Sequence, residues 1–176
     1  TLEEMLDEDR VNYEKFFEAF GMQLKYGIYS SYGMNKDALK DLLLFYSSKE
    51  KKRITLKEYV ENMKEGQEKI YYASGESLDK IDLLPNVERF KENDYEVLYL
   101  VDYVDEFTIQ ALMDYEGKKF ANVASEDVTL DTPEEKEALN KRNEDAKEMF
   151  SAMKEALPEI KDIKYTNKLK NHPVCL

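Results

Sequence analysis

The sequence predicts a mixed α/β chain: a helical connector, then a small α/β layer with a βαβ unit, then the start of a second domain of α+β type. Three observations carry this prediction. Apolar residues recur at helical spacing through the first 64 residues. Two β-prone runs without polar alternation then flank a helical stretch, the pattern of strands buried in a parallel sheet. From about Ala124 the chain turns strongly acidic and helical.

In the opening stretch Tyr13, Phe16, Phe17, Phe20 and Leu24 fall at i, i+3, i+4, i+7 and i+11, one face of an amphipathic helix. Gly21 inside this pattern and Gly27 after it predict a break or an end there. A second helix is expected after the cap residue Asn35, burying Leu39, Leu42, Leu43 and Tyr46. A third opens on a capping box, Thr55 with Glu58, and carries Leu56, Tyr59, Val60 and Met63 on one face.

From Lys69 the period changes. Ile70 to Ala73 and Glu96 to Val101 read as strands. The helical stretch between them is interrupted at Pro85, where a new helix can begin because proline suits a first turn. Asp102 to Met113 reads as a helix and Lys118 to Val123 as a third strand. Between Ser125 and Met149 nine acids face four bases. Thr132, Pro133, Glu134 and Glu135 mark a helix start, and that helix carries Leu139, Ala146, Met149, Phe150, Met153 and Leu157 up to Pro158. A strand is expected around Asp162 to Thr166. The start at Thr1 without an initiator Met, and the stop at Leu176 soon after that strand, read as a piece of something longer.

Composition bounds the chemistry. A 42% hydrophobic and 12% aromatic content supplies a core despite 36% charged residues. A net charge of −12 argues against non-specific DNA or RNA binding, which needs clustered Lys and Arg. One Cys and one His exclude a disulfide framework and the common zinc sites, which use about four close ligands. A reducing, cytoplasmic setting is the simplest expectation. No run approaches the roughly 18 apolar residues of a membrane span, so no membrane partner is expected.

No catalytic constellation emerges. The six glycines are too scattered for a phosphate loop; Gly75 follows a strand and precedes a helix, but a turn role suits it better. His172 and Cys175 have no third group to orient them and read as surface residues. Asp105 and Glu106 could do acid/base work at a strand end, yet Asp105 also suits a helix N-cap. On a helical wheel Thr108, Ile109, Leu112, Met113 and Tyr115 share one broad face, and Phe107 falls off it between Glu106 and Gln110. An exposed aromatic there would contact a protein partner; packing under the preceding loop is the alternative.

Longer runs then add a resemblance. Tyr59 to Ser77 (Tyr-Val-Glu-Asn-Met-Lys-Glu-Gly-Gln-Glu-Lys-Ile-Tyr-Tyr-Ala-Ser-Gly-Glu-Ser) resembles a signature stretch of the ninety-kilodalton heat-shock chaperones. Tyr95 to Phe120, the Phe16-Phe17-Glu-Ala-Phe-Gly run and the closing Thr166 to Val174 also resemble this family, and Glu-Gly-Gln-Glu-Lys looks like its bacterial HtpG type. The resemblance implies that residues 1–123 are the second part of a middle domain, with a helical connector over 1–66 and a small α/β layer over 67–123. Residues 124–176 would begin the C-terminal domain.

It further implies a client-binding and lever segment of an ATP-dependent chaperone that assists folding under stress, with no catalytic residue or cofactor here. ATP and Mg would be bound upstream, and dimerising helices would follow, giving a homodimeric parent and a monomeric fragment. Clients are partly folded proteins; docking of co-chaperones is an alternative use. The implied client-binding candidates are Asp105, Glu106, Phe107 and Gln110. Many relatives carry Trp or Tyr where this chain has Phe107, which keeps the apolar surface but offers no hydrogen bond.

Overall fold

Thr1 opens the chain with a capping box: its hydroxyl accepts from the Glu4 N–H, and the Glu4 side chain reaches back to the Thr1 amine. In the computed structural model, which describes residues 1–125, 128–131, 133–157 and 159–167, the chain divides into two compact units, Thr1–Val128 and Thr129–Leu176.

The first unit starts with α1 (Leu2–Glu8) and α2 (Arg10–Ser30). The expected break in α2 does not occur, because Gly21 is a packing device rather than a hinge. A Cβ at Gly21 would lie 2.6 Å from the Phe17 ring, so glycine lets that ring fold along the helix. The buried line of α2 runs Tyr13, Phe17, Gly21, Lys25 and Ile28. Phe20, expected on that face, is instead exposed, since Gly21 takes the core position beside it.

After α3 (Lys36–Leu39) and a 3₁₀ turn over Lys40–Leu42, the chain departs from the expected second helix. Leu44–Ser47 form strand β1, and Arg53–Thr55 form β2, so Tyr46 lies on a strand and the first 66 residues are not helical throughout. The apolar run Leu42 to Phe45 is buried at every residue, and a continuous run of that kind does not distinguish helix from strand by period. Then follow α4 (Leu56–Glu61), with the Thr55–Glu58 capping box in place, β3 (Lys69–Ser74), α5 (Leu78–Asp82) and α6 (Pro85–Glu92) with Pro85 at its start. They lead to β4 (Leu98–Leu100), α7 (Asp105–Leu112), β5 (Asp114–Tyr115) and β6 (Lys118–Asn122).

Among the described residues the six strands form one sheet in the order β2-β1-β4-β3-β6-β5. β3 pairs in parallel with β4, as the βαβ reading requires, and also in parallel with β6. The two outer pairs, β1 with β2 and β5 with β6, are antiparallel hairpins absent from the sequence reading. α7 ends one residue early: Met113 has φ 69° and is exposed, off the buried face assigned to it. The core gathers Tyr13, Phe17 and Ile28 of α2, Leu56 and Tyr59 of α4, Ile70 of β3, Leu98 of β4 and Ile109 and Leu112 of α7. Tyr59 ties elements together: its hydroxyl donates to the Glu96 carbonyl and accepts from the Tyr71 N–H and the Gln67 amide.

In the second unit the single expected helix is two, α8 (Pro133–Asp145) and α9 (Lys147–Ala156), because the backbone at Ala146 (φ −91°, ψ 3°) leaves helical geometry. No strand forms over 162–166. The Asn143 side chain takes the Tyr165 backbone instead, accepting from its N–H and donating to its carbonyl, and the Tyr165 ring packs on Phe150 at 5.1 Å. Thr132, Pro158, His172 and Cys175 lie outside the described residues.

Candidate functional site

α7 follows the strand β4 and lies against α2, and the two faces of α7 differ. Its inner side is polar where it meets α2. Lys25 of α2 is buried, with its ammonium 2.5 Å from Asp105 Oδ1 and 2.9 Å from Asp102 Oδ2. The Phe17 and Phe45 rings lie 5.5 and 5.0 Å from the same ammonium, where the ring faces favour a cation. Burial pushes the Asp105 carboxyl above the usual range, and the Lys25 charge pulls against it. Its second oxygen accepts from the Asp102 N–H at 3.0 Å. The Thr108 hydroxyl shares its proton between the Val104 carbonyl at 2.8 Å and the Lys25 carbonyl at 3.2 Å.

Asp105 is therefore neither the N-cap of α7, which is Val104, nor a surface contact. That is a correction to its place among the candidate site residues. A carboxylate this close to a buried ammonium is held in its pair, and it fixes α7 from beneath.

The outer side carries the other three candidates together. Glu106, Phe107 and Gln110 are all exposed, with Phe107 47% accessible. The Ser74 hydroxyl at the end of β3 donates to Glu106 at 2.7 Å and steadies that side chain. The Phe107 ring does not pack under the preceding loop; it lies 5.2 Å from the ring of Tyr29 on α2. Tyr26 stands 6.0 Å from Tyr29 in an edge-on arrangement. Both tyrosines are about half exposed, and sequence reasoning missed them because an exposed aromatic on a long helix looks like any other apolar position.

Other chemistry finds little support. Acid/base catalysis at Asp105 and Glu106 calls for a concave pocket; the recess beside α2 is lined by Met22, Gln23, Tyr26, Gly27 and Tyr103, without either acid. Gly75 has a packing role at its turn, since a Cβ there would meet the Ile81 side chain at 2.8 Å, and the Ser77 hydroxyl caps α5 by accepting from the Lys80 N–H. Among the described residues no group of three or more His, Cys, Asp or Glu is placed to hold a metal ion, and no helix is long and apolar enough to cross a membrane.

The model of the Hsp90 protein family matches residues 1–176. The chain is 53% identical over 176 residues to the chaperone protein HtpG of Alkaliphilus metalliredigens, covering 99% of this chain and 28% of that protein. It is also 53% identical over 173 residues to HtpG of Oceanobacillus iheyensis, covering 98% and 28% respectively. Among solved structures, the middle domain of a Plasmodium falciparum heat shock protein superposes with a TM-score of 0.65 at 31% identity, over 71% of this chain and 52% of that one. The chain thus spans about 28% of the length of the curated relatives it matches.

Proposed function

The chain belongs to the Hsp90 family, and from that premise we propose that it is the client-binding and lever segment of an ATP-dependent chaperone. Residues 1–123 serve as the second part of the middle domain and 124–176 as the beginning of the C-terminal domain. ATP with Mg is bound by another part of the longer, cytoplasmic protein, and the residues described here bind, position and transmit without a catalytic group of their own.

The observation that carries the reading is the outer face of α7. Phe107 is half exposed between Glu106 and Gln110, on a helix anchored from beneath by a buried ion pair. A partly folded protein exposes apolar side chains and unpaired amides. Phe107 offers area to the first, and Glu106 and Gln110 offer hydrogen-bonding groups to the second. Asp105 acts through α7 as a positioning residue.

Titrating the isotope-labelled chain with a partly folded protein and following amide signals by NMR tests this. Shifts are expected around Glu106 to Gln110, and Phe107→Ala should weaken binding by about 1–2 kcal/mol, the scale of a moderate interface anchor. Shifts elsewhere, with Phe107→Ala binding as tightly as the parent, would reject the site.

A further inference from the structure

Beyond α7, the outer surface of α2 continues the same aromatic strip and ends in a hollow. The Phe107 ring touches Tyr29 at 5.2 Å, and Tyr29 stands 6.0 Å from Tyr26. Tyr26 then joins Met22, Gln23, Gly27 and Tyr103 around a recess of about 290 Å³. Met22, Tyr26, Tyr29, Tyr103 and Phe107 are all at least 40% exposed, and they form one connected apolar surface rather than scattered side chains. Tyrosine and methionine are the residue types that interfaces favour.

Charge decides what would sit there. Residues 101–117 contain Asp102, Asp105, Glu106, Asp114 and Glu116 and no Lys or Arg. Residues 18–34 contain Glu18 and a single base, Lys25, whose ammonium is turned inward to Asp105 and Asp102. Of these acids Asp105 is buried and Asp102 pairs with Lys25, so the strip presents ring faces, the exposed Glu106 carboxylate beside Phe107 and no outward cation from either segment. Aromatic faces attract Lys and Arg through their quadrupole, and exposed carboxylates steer the same groups.

We propose that the α7 site extends across α2 into this recess, and that its occupant is a segment of unfolded protein with an apolar anchor flanked by Lys or Arg. The proposal rests on the client-binding reading of α7 and deepens it by naming the class of segment. The anchor fills the recess between Tyr26 and Tyr103, and the flanking cations lie over the Tyr29 and Phe107 rings and beside Glu106. An acidic segment of equal apolarity meets like charge and is disfavoured.

Two dye-labelled peptides with one leucine- and tyrosine-rich centre, flanked by lysines or by glutamates, test it by fluorescence anisotropy on the 176-residue chain. At about 0.1 M salt the lysine peptide should bind at least about tenfold more tightly, and the gap should narrow at about 1 M, where the screening length is only ~3 Å. Tyr26→Ser combined with Tyr103→Ser should weaken the lysine peptide about fivefold or more under conditions where urea unfolding shows the variant still fully folded. If Phe107→Ala weakens binding but the Tyr26/Tyr103 variant does not, the extension is wrong and the α7 reading survives. Equal affinity for the two peptides overturns the charge assignment, again leaving α7 intact. Binding of neither peptide, or binding indifferent to Phe107→Ala, removes both. Sedimentation showing that copies of the chain associate through this face, and that Tyr26→Ser abolishes it, would give the strip to self-association instead.

Discussion

The two sides of the α2–α7 pair invert the usual distribution of residue types. Inside, where water is excluded, a lysine, an aspartate and a threonine join the helices. Outside, in water, the contact is between rings. A fold made only for stability would exchange them. The difference separates two tasks: the inner contacts fix the spacing and rotation of α7, and the outer rings are released from holding the fold and can meet a partner.

Cutting the inner connection should have the largest effect. Lys25→Met leaves the Asp105 carboxylate buried with its cation gone, and breaking a buried pair from one side costs about 3–5 kcal/mol. Urea unfolding monitored by circular dichroism would read this as a lower midpoint at an unchanged slope. Adding Asp105→Leu removes the stranded charge and should return most of the loss. If Lys25→Met alone costs less than about 1 kcal/mol, water reaches Asp105 and the inner face is not the fixed support described here.

That lysine also shows where the sequence is opaque. The wheel of α7 found Phe107 because one aromatic fell among polar neighbours, and the βαβ unit was legible in the two unalternating runs around Pro85. On α2, however, the core line passes through Gly21 and Lys25, neither of which registers as apolar, so the spacing points to Phe20 in their place. Whether Lys25 is buried depends on Asp105, 80 positions along the chain, which no local pattern reports. The hairpin β1–β2 is hidden for a related reason: the continuous apolar run Leu42 to Phe45 has no period to separate strand from helix, and what marks β1 as a strand is its pairing with the distant β4. The outer strip was half legible, because it takes both helices to bring Tyr29 to Phe107.

A second buried carboxylate sharpens the comparison, because a serine hydroxyl and not an ammonium is its hydrogen-bond partner. Glu96 is 5% exposed; one oxygen accepts from the Ser47 hydroxyl, and the other has no hydrogen-bond partner. Burial pushes its carboxyl above the usual range, with the Ser47 hydrogen bond opposing. A carboxyl that titrates higher when folded contributes its full stability below the unfolded value, about 4.3, and loses it as pH rises through the folded value. Glu96→Gln should therefore gain on the parent as pH rises through that window and keep a constant advantage above it, about 1 kcal/mol near pH 7, the scale of one buried polar group. Unfolding midpoints measured from about pH 4 to pH 8 would show the two curves diverging upward. Parallel curves would mean that Glu96 is solvated in the native protein.

The outer strip should give the smallest effect on stability. Tyr29 and Phe107 are each about half exposed, so Tyr29→Ser and Phe107→Ala forfeit only partial burial and should each cost about 0.5–1 kcal/mol in urea unfolding. Their rings do touch, so a double-mutant cycle should return a coupling of about 0.5 kcal/mol, the low end for an aromatic pair because water reaches both. The same cycle run on peptide binding should give a larger coupling, since a bound segment excludes that water and makes each ring depend on the other. If the stability coupling instead exceeds the binding coupling, the rings belong to the fold, and the division of labour between the two faces of α7 fails.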